Sequence, residues 1–363
     1  MTDREQALIH LIRSNPFMSQ QEMAEKLDMS RPALANLISG LVKQRKIIGR
    51  AYILPEENSI VCIGGANIDR KFHIRGPVQF GTSNPVSSMH SIGGVARNIA
   101  ENLGRLSHSV SLITTAGKDT DWQAIETASE AFINLKEVEI LQGFSTGSYS
   151  AVMDESGELI LATANMDVYE ELKPIIMMKH DVLLSTAPCI IIDLNCPKET
   201  VEYIQQFAIA RNVPLVIVPV SSPKMDRLPD NLNGVTWFIC NTDEAETLLH
   251  KQIQTAADYL KALPEIMQLG AENVIVTAGA KGIYVASKNI KPTHFNAKAV
   301  EEIKDVTGSG DAFVAAVIHS WLSNMPIDQV VEAGLMNAKR TLESPFTVRP
   351  ELTEDLLKKE LED

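Results

Sequence analysis

Nine residues in the C-terminal part of the chain read Asp305-Val306-Thr307-Gly308-Ser309-Gly310-Asp311-Ala312-Phe313, and the mostly apolar residues 314–321 follow them. Glycines directly before a helix let backbone N–H groups converge on one point, where the helix N-terminus adds positive potential. We therefore predict an anion hole at Gly308, Ser309 and Gly310, suited to phosphate charge that develops in a transition state. Asp311 would lie in the first helical turn, where a carboxylate can accept the proton of an attacking hydroxyl. A glycine-rich helix start with an aspartate cap is the structural alternative.

Two glycine motifs occur in the first third of the chain. In Gly93-Gly94-Val95-Ala96-Arg97-Asn98 the paired glycines admit a ligand close to the backbone, and Asn98 offers two donors and an acceptor. Gly64-Gly65-Ala66-Asn67-Ile68-Asp69 follows a predicted strand, and a carboxylate is a suitable acceptor for a vicinal diol. Helix packing alone would also explain the paired glycines.

Two further motifs follow predicted strands in the second half of the chain. Asn241-Thr242-Asp243-Glu244 offers a carboxylate of the kind that holds a hard cation on ATP, although the same pattern is a common helix cap. Thr277-Ala278-Gly279-Ala280-Lys281-Gly282 is a glycine-containing loop. Neither a Walker A motif nor a G-x-G-x-x-G fingerprint occurs, which disfavours P-loop kinases and Rossmann dehydrogenases.

In this order, the motifs of residues 59–350 resemble those of the ribokinase-like carbohydrate and nucleoside kinase family, often called PfkB. The string around Asp311 is similar to the family's C-terminal signature. The resemblance implies that Asp311 is the catalytic base and that the amides of Gly308, Ser309 and Gly310 hold the transferred phosphoryl group. The substrate-binding residues that it implies are Gly93, Gly94 and Asn98 in the sugar pocket, with Asn67 and Asp69 gripping sugar hydroxyls.

The same resemblance implies cofactors and an assembly state. ATP would be the phosphoryl donor with Mg²⁺, and a monovalent cation (K⁺) is a further candidate. Asn241 and Glu244 would serve magnesium and phosphate placement. The residues implied for nucleotide binding are Thr277, Gly279 and Gly282 in the loop and Asn337 against the adenine. We expect a homodimer, because a flap sheet often pairs between subunits in this family.

Residues 59–363 read as one α/β domain. Near-continuous apolar runs between helical stretches indicate a parallel sheet buried on both faces, and the resemblance implies a doubly wound, ribokinase-like arrangement. The candidate strands are residues 60–63, 110–114, 190–194, 215–220, 237–240, 274–277 and 283–286. Residues 148–153 and 159–162 flank Asp154-Glu155-Ser156-Gly157, which predicts a hairpin. With residues 72–89 this hairpin would form a small β-sheet lid, from segments of about 70–91 and 145–165.

Residues 1–54 read as a separate domain, joined by the polar linker 55–58. Three helices are predicted: the second begins with a capping box of Ser19 and Glu22, and Ser30 caps the third. The third helix would bury an apolar stripe of Leu34, Leu37, Ile38, Leu41 and Val42. A short β-ribbon at residues 46–54 follows. This layout resembles the winged helix-turn-helix heads of bacterial regulators.

The charge of this segment differs from that of the whole chain. Its eight basic and five acidic residues give +3, whereas the whole chain carries −13. In a helix-turn-helix, Arg31 and Asn36 would enter the major groove. The residues predicted to contact DNA phosphates are Lys43, Arg45, Lys46 and Arg50. A docking or dimerisation module that does not bind DNA is the alternative.

The lid segment indicates the substrate class. Ser145-Thr146-Gly147-Ser148-Tyr149-Ser150-Ala151-Val152-Met153-Asp154, with Gly157-Glu158-Leu159 and Ala164-Asn165-Met166-Asp167, resembles pseudouridine kinases and their winged-helix-fused relatives. We therefore expect phosphoryl transfer to the 5′-hydroxyl of a nucleoside, and pseudouridine is the acceptor that this resemblance favours. A ribose or fructose kinase remains an alternative. A transcription regulator whose kinase-like domain only senses ligand is another, although a pure sensor does not need Asp311.

The spacing of the cysteines and the hydropathy of the chain indicate the cellular compartment. The four cysteines lie far apart without a CxxC pair, so buried, reduced thiols are expected rather than a zinc site or disulfides. The N-terminus is polar, and no run of about 18 apolar residues occurs. We expect a cytoplasmic protein without a membrane span.

Overall fold

The computed structural model describes residues 3–15, 18–43 and 58–362. The chain divides into two compact units, Met1–Leu54 and Pro55–Asp363. Within the described residues, all four cysteines are buried and free, as expected from their spacing.

The N-terminal unit contains α1 (Asp3–Ser14), α2 (Gln20–Lys26) and α3 (Arg31–Lys43). Ser19 Oγ accepts a hydrogen bond from the backbone N–H of Glu22, while Ser19 N donates to the Glu22 carboxylate, so the predicted capping box is confirmed. The three helices share a core that includes Leu8, Met23, Leu34, Ile38 and Leu41. Val42 is exposed, contrary to the predicted stripe. The predicted ribbon at 46–54 lies outside the described residues, so the wing stays a prediction.

The large unit consists of alternating strands and helices. The strands are β1 (Ile60–Ile63), β2 (Asn67–Ile74), β3 (Val86–Gly93), β4 (Val110–Ile113), β5 (Thr115–Gly117), β6 (Glu139–Leu141), β7 (Ser148–Met153), β8 (Leu159–Asn165), β9 (Ile190–Asp193), β10 (Leu215–Val218), β11 (Val235–Asn241), β12 (Asn273–Thr277), β13 (Ile283–Ser287) and β14 (Ile290–Phe295). The helices are α4 (Val95–Arg105), α5 (Thr120–Ser129), α6 (Pro174–Lys179), α7 (Asp181–Thr186), α8 (Lys198–Arg211), α9 (Thr242–Leu249), α10 (Ala256–Gln268), α11 (Ser309–Leu322), α12 (Ile327–Leu342) and α13 (Glu354–Glu362).

Eight strands form the main sheet in the order β14-β13-β12-β11-β10-β9-β1-β4. Neighbours from β4 to β12 run parallel, so the predicted, mostly parallel sheet is confirmed. Side chains of β1 alternate between two hydrophobic cores: Cys62 packs in the core with α4, α11 and α12, and Ile63 in the core with α8 and α10. Burial on both faces explains why these strands read as continuous apolar runs.

The edge of the main sheet departs from the prediction of parallel strands. β13 and β14 both pair antiparallel. Only residues 278–282, which contain the short 3₁₀ turn Gly279–Lys281, separate β12 from β13, and this is too short for the crossover that a parallel pair requires. β14 was not predicted.

A second sheet, called here the small sheet, has the strand order β3-β2-β7-β8. It is built from the segments predicted as a lid, but β2 begins earlier, at Asn67. The predicted hairpin turn between β7 and β8 is present, and Asp154 Oδ1 accepts hydrogen bonds from the backbone N–H groups of Ser156 and Glu158. The small sheet places Asn67 and Asp69 at the start of β2, beside the end of β3 at Gly93.

Candidate active site

The N-terminus of α11 forms the predicted turn. Gly308 has φ +82° as the N-cap residue, and a Cβ atom there would collide with the carbonyl oxygen of Thr347, so only glycine fits. The first helical bond runs from Ala312 N to Gly308 O. The amides between Gly308 and Ala312 therefore have no intrahelical acceptor, and only Ser309 N makes a long bond, of 3.4 Å to Val306 O, so this turn can bind an anion.

Asp311 lies half-buried in this first turn. Burial raises its pKa to about 7, and the nearby carboxylates of Asp193 and Asp69 act in the same direction. Asn98 Nδ2 donates to Asp311 Oδ2 over 2.8 Å, which lowers the pKa in opposition to burial. A carboxylate that titrates near neutral pH is suited to general base catalysis.

Arg97 orients Asn98 and was not predicted. Arg97 Nη1 donates to Asn98 Oδ1 over 3.1 Å, so the amide nitrogen of Asn98 is the atom that points at Asp311. Arg97 is itself buried, in an ion pair with Glu101 and a hydrogen bond to Ser129 Oγ. The sequence offered one indication of this role, since Arg97 is a charged residue among the mostly small or apolar residues 95–100.

Asn67 and Asp69 lie together, as expected. Asn67 Nδ2 donates to Asp69 Oδ1 over 2.7 Å. Burial raises the pKa of Asp69 to about 6, while Lys71 and Asn67 lower it. Gly93 is the register partner of Asn67, and a Cβ atom on Gly93 would collide with the Asp69 carboxylate. A side chain at position 93 would therefore displace the Asp69 carboxylate from its place beside Asn67.

Asp193 joins the two glycine motifs and was not predicted as a site residue. Its Oδ2 accepts hydrogen bonds of 2.9 Å from both Gly65 N and Ala96 N. The side chain is buried, and burial raises its pKa. Asp193 ends β9, in the middle of the main sheet, where ligands of open α/β sheets bind. Its position near the end of a predicted buried strand could have marked Asp193 as a candidate site residue from the sequence.

A cavity of about 650 Å³ opens beside α11. Thr277, Gly279 and Gly282 line it together with Ser309 and Gly310, so the predicted nucleotide loop and the anion turn face one space. Apolar side chains supply much of the remaining wall, among them Val300, Ile303, Val306, Leu335 and Leu342. A volume of this size and an apolar wall suit a cofactor with a flat ring.

The family model described as pfkB family carbohydrate kinase matches residues 57–352. The chain belongs to this family. It is an ATP-dependent phosphotransferase of the PfkB family that acts on a nucleoside or a sugar.

The relatives of this PfkB kinase include nucleoside kinases and sugar kinases. A pseudouridine kinase of Escherichia coli is 28% identical over 299 residues, which cover 82% of this chain and 95% of the relative. A guanosine-inosine kinase of Exiguobacterium acetylicum is 27% identical, covering 79% of this chain and 95% of that protein. The solved structure of Arabidopsis thaliana ribokinase complexed with ribose and ATP matches with a TM-score of 0.74 at 17% identity, covering 85% of this chain and 100% of that one. The ribokinase-like fold is therefore confirmed.

Asn337 does not lie where it was predicted in this PfkB kinase. Its side chain is fully buried, and its Nδ2 donates to Ala312 O over 2.8 Å and to Asn102 Oδ1 over 3.2 Å. Its Oδ1 accepts from Arg349 Nε over 3.1 Å. The expected contact with adenine is wrong, because this side chain joins α4, α11 and α12 inside the protein. Its neighbour Ala338 lines the cavity instead.

Asn241 and Glu244 form a helix cap at the start of α9. Asn241 Oδ1 accepts from Glu244 N over 2.9 Å, and the Glu244 carboxylate accepts from Asn241 N over 2.8 Å. Glu244 is buried, which raises its pKa. Among the residues that the structure describes, no group of three or more His, Cys, Asp or Glu could hold a metal ion. The magnesium role of this pair stays a prediction.

The residues predicted to contact DNA lie only partly within the described ranges. Arg31, Asn36 and Lys43 are exposed on α3. The other three, Arg45, Lys46 and Arg50, lie outside the described residues. Searched over the described ranges, the helices include none that combines the length and apolar character needed to cross a bilayer.

Proposed function

We propose that this kinase transfers the γ-phosphoryl group of ATP to the 5′-hydroxyl of a nucleoside, and that pseudouridine is the acceptor. The proposal rests on one arrangement above all. The Asp311 carboxylate is held by Asn98 beside the start of α11, where Ser309 and Gly310 line the cavity that suits a nucleotide. The names of two relatives, a pseudouridine kinase and a guanosine-inosine kinase, support a nucleoside as the acceptor.

In the proposed reaction the acceptor oxygen attacks the γ-phosphorus as the bond to the ADP oxygen breaks. Asp311 accepts the proton of the attacking hydroxyl as the new bond forms. The acceptor oxygen therefore need not become a fully charged alkoxide before it attacks. The amides of Gly308, Ser309 and Gly310 donate to the equatorial oxygens of the transferred group. Fixed donors in a site closed to water stabilise such charge better than water can, because they need not reorient.

Asn67 and Asp69 are proposed to bind the ribose. Asp69 Oδ1 already accepts from Asn67, which leaves its second oxygen for a ribose hydroxyl. A deprotonated carboxylate makes strong, charge-assisted bonds with vicinal hydroxyls. Since burial raises the pKa of Asp69 to about 6, binding of the acceptor should weaken below that pH.

Mg²⁺ and a monovalent cation are proposed from the family resemblance. The chemistry of Asn241 and Glu244 fits magnesium, since Mg²⁺ takes one or two carboxylates and keeps several waters. The buried Glu244 carboxylate uses one oxygen in the cap, so its other oxygen would hold the ion's water shell while Asn241 positions the helix start. The ion would neutralise the phosphates of ATP. A requirement for K⁺ is tested by replacing KCl with choline chloride.

A panel of acceptors tests the proposal. ADP release should be measured with pseudouridine, uridine, inosine, ribose and fructose, each with wild-type protein and with Asp311→Asn. Pseudouridine should give the highest kcat/KM, and the variant should lose that signal. A higher kcat/KM with ribose or fructose would establish the sugar kinase, which the structural likeness to ribokinase makes the second candidate.

DNA binding and a homodimer are the remaining proposals. A gel shift with residues 1–54 over a range of salt tests the first, since contacts with phosphates weaken as salt rises. The outer strands β3 and β8 of the small sheet are mostly exposed, with Met89, Leu159 and Leu161 more than half accessible, which leaves an edge for a second copy. Light scattering after size exclusion gives the mass of the assembly.

A further inference from the structure

Lys71 connects the small sheet to the turn that precedes the anion hole. Its Nζ lies 2.6 Å from Asp305 Oδ2 and 3.3 Å from Thr307 Oγ1. Lys71 belongs to β2, whereas Asp305 and Thr307 lead into α11. The contact therefore joins two parts of the site that are far apart in the sequence.

The Asp305 carboxylate uses its two oxygens for different purposes. Oδ2 holds the Lys71 ammonium, while Oδ1 accepts from Thr307 N over 2.9 Å and from Thr307 Oγ1 over 2.7 Å. The second pair of bonds folds residues 305–307 into a tight turn directly before Gly308. The position of the Lys71 ammonium is thus transmitted to the backbone that supplies the anion-binding amides.

The geometry of β2 places Lys71 on the same side of the sheet as the proposed ribose ligand. Residues two apart on a strand point to the same face, so Lys71 lies on the face of β2 that carries Asp69. Asp69 is the proposed ribose ligand. One strand therefore carries both the acceptor's proposed ligand and the side chain that holds the turn at the donor's phosphate.

We propose that Lys71 is a positioning residue for phosphoryl transfer: through Asp305 it sets the distance between the acceptor and the amides of Gly308, Ser309 and Gly310. A misplacement of about 1 Å between reacting groups can cost about 10²-fold in rate. Lys71 does not itself contact a reacting atom. The inference rests on the proposed role of Asp311 and its turn, but not on which acceptor is used.

Arg70 offers a matched control on the same strand. Its guanidinium forms an ion pair of 2.6 Å with Asp121, and the two partners' side chains are 25% and 28% exposed, against 28% and 24% for Lys71 and Asp305. The Arg70 pair ties β2 to α5, which does not lead into the anion hole. If kcat fell merely because an ion pair of the small sheet was lost, substitutions of Lys71 and of Arg70 should lower it equally.

The first experiment compares Lys71→Met, Lys71→Arg and Arg70→Met by steady-state kinetics with the best acceptor of the panel. Lys71→Met should lower kcat by about 10- to 100-fold with KM for ATP changed less than about threefold, because the turn moves while most of the cavity wall lies outside the turn. Lys71→Arg keeps the charge and should recover most of kcat. Arg70→Met should stay within about threefold of the wild type. Equal losses in Lys71→Met and Arg70→Met, or no loss in either, overturn the inference.

A double-mutant cycle tests whether Lys71 acts through Asp305. In an Asp305→Asn background, Lys71→Met should change kcat by less than about threefold, because the link is already broken. Additive losses would show that Lys71 acts by another route and would overturn the inference.

Hydrogen exchange separates this inference from the substrate proposal. If no acceptor of the panel is turned over, the substrate proposal fails while Lys71 remains testable. Exchange of the Thr307 amide, which donates to Asp305, should speed up in Lys71→Met and not in Arg70→Met. Unchanged exchange in Lys71→Met counts against the role proposed here, whatever the substrate.

Discussion

Asn98 Nδ2 lies 2.8 Å from Asp311 Oδ2 and joins the first turns of α4 and α11. Since an amide nitrogen only donates, Asn98 favours the charged form of Asp311. Burial acts in the opposite direction, and the balance leaves the pKa of Asp311 at about 7. The two glycine motifs thus meet at a carboxylate that can both hold and release a proton at neutral pH.

Replacing Asp311 with Asn should lower kcat by about 10²–10⁴-fold, because the proton acceptor is lost while the shape is kept. The Kd for ATP, measured by calorimetry, should change little, since Asp311 does not line the nucleotide cavity. Asp355→Asn, on the exposed surface of α13, is the isosteric control and should retain full activity. A loss of less than tenfold in Asp311→Asn would refute the base assignment.

Truncating Asn98 to Ala should move the pH dependence of kcat. The hydrogen bond from Asn98 lowers the pKa of Asp311, so its removal should raise that pKa further above about 7. The base acts only when deprotonated, and activity is lost as the pH falls through the pKa. The acidic limb of the profile should therefore shift to higher pH, with a larger deficit at pH 6.5 than at pH 8.5. A uniform loss at all pH values contradicts this.

Gly308→Ala and Gly310→Ala should differ sharply in stability. A Cβ atom at Gly308 meets the Thr347 carbonyl oxygen and forces an alanine into left-handed φ, which should cost about 1–3 kcal/mol or more of unfolding free energy. At Gly310 nothing lies within 4 Å of such an atom. Urea unfolding of both variants measures the difference. Equal destabilisation would mean that the Thr347 contact does not constrain the turn.

Asn337→Ala should destabilise the protein without weakening nucleotide binding. The substitution leaves buried partners such as Ala312 O and Arg349 Nε unsatisfied, at about 1–3 kcal/mol. Ala338→Leu, one residue along the helix, should instead raise the KM for ATP by filling the cavity that Ala338 lines. Thermal unfolding and ATP titrations of the two variants measure both effects. The opposite pattern would restore Asn337 as an adenine contact.

The buried strands were predictable from the sequence because each is a continuous apolar run covered by helices on both faces. Predicted strand 60–63 and β1 (Ile60–Ile63) coincide, and 190–194 differs from β9 by one residue. The half-exposed edge strand β14 lacks that pattern, with Lys291, Thr293 and His294 exposed, and was missed. Motif spacing singled out Asp311 and Asn98 as candidates, but it did not predict that their side chains would form a hydrogen bond.

Contacts between distant parts of the chain could not be read from local pattern. Lys71 and Asp305 are 234 residues apart, and neither neighbourhood indicates the other. Asn337 was misplaced for a related reason: its helix has one face on the cavity and another against α4 and α11. Only the packing of three helices decides which face a given residue takes.

β2 pairs antiparallel with β3 and parallel with β7, although β7 begins at Ser148, long after β3 ends at Gly93. A parallel neighbour so far along the chain cannot be recruited by a tight turn, and closing the loop costs entropy before the pairing repays it. During synthesis the β2–β3 hairpin must therefore wait, with one edge unpaired, until Met153 has left the ribosome. Until then, the unpaired edge of β2 can mispair with a strand of another nascent chain.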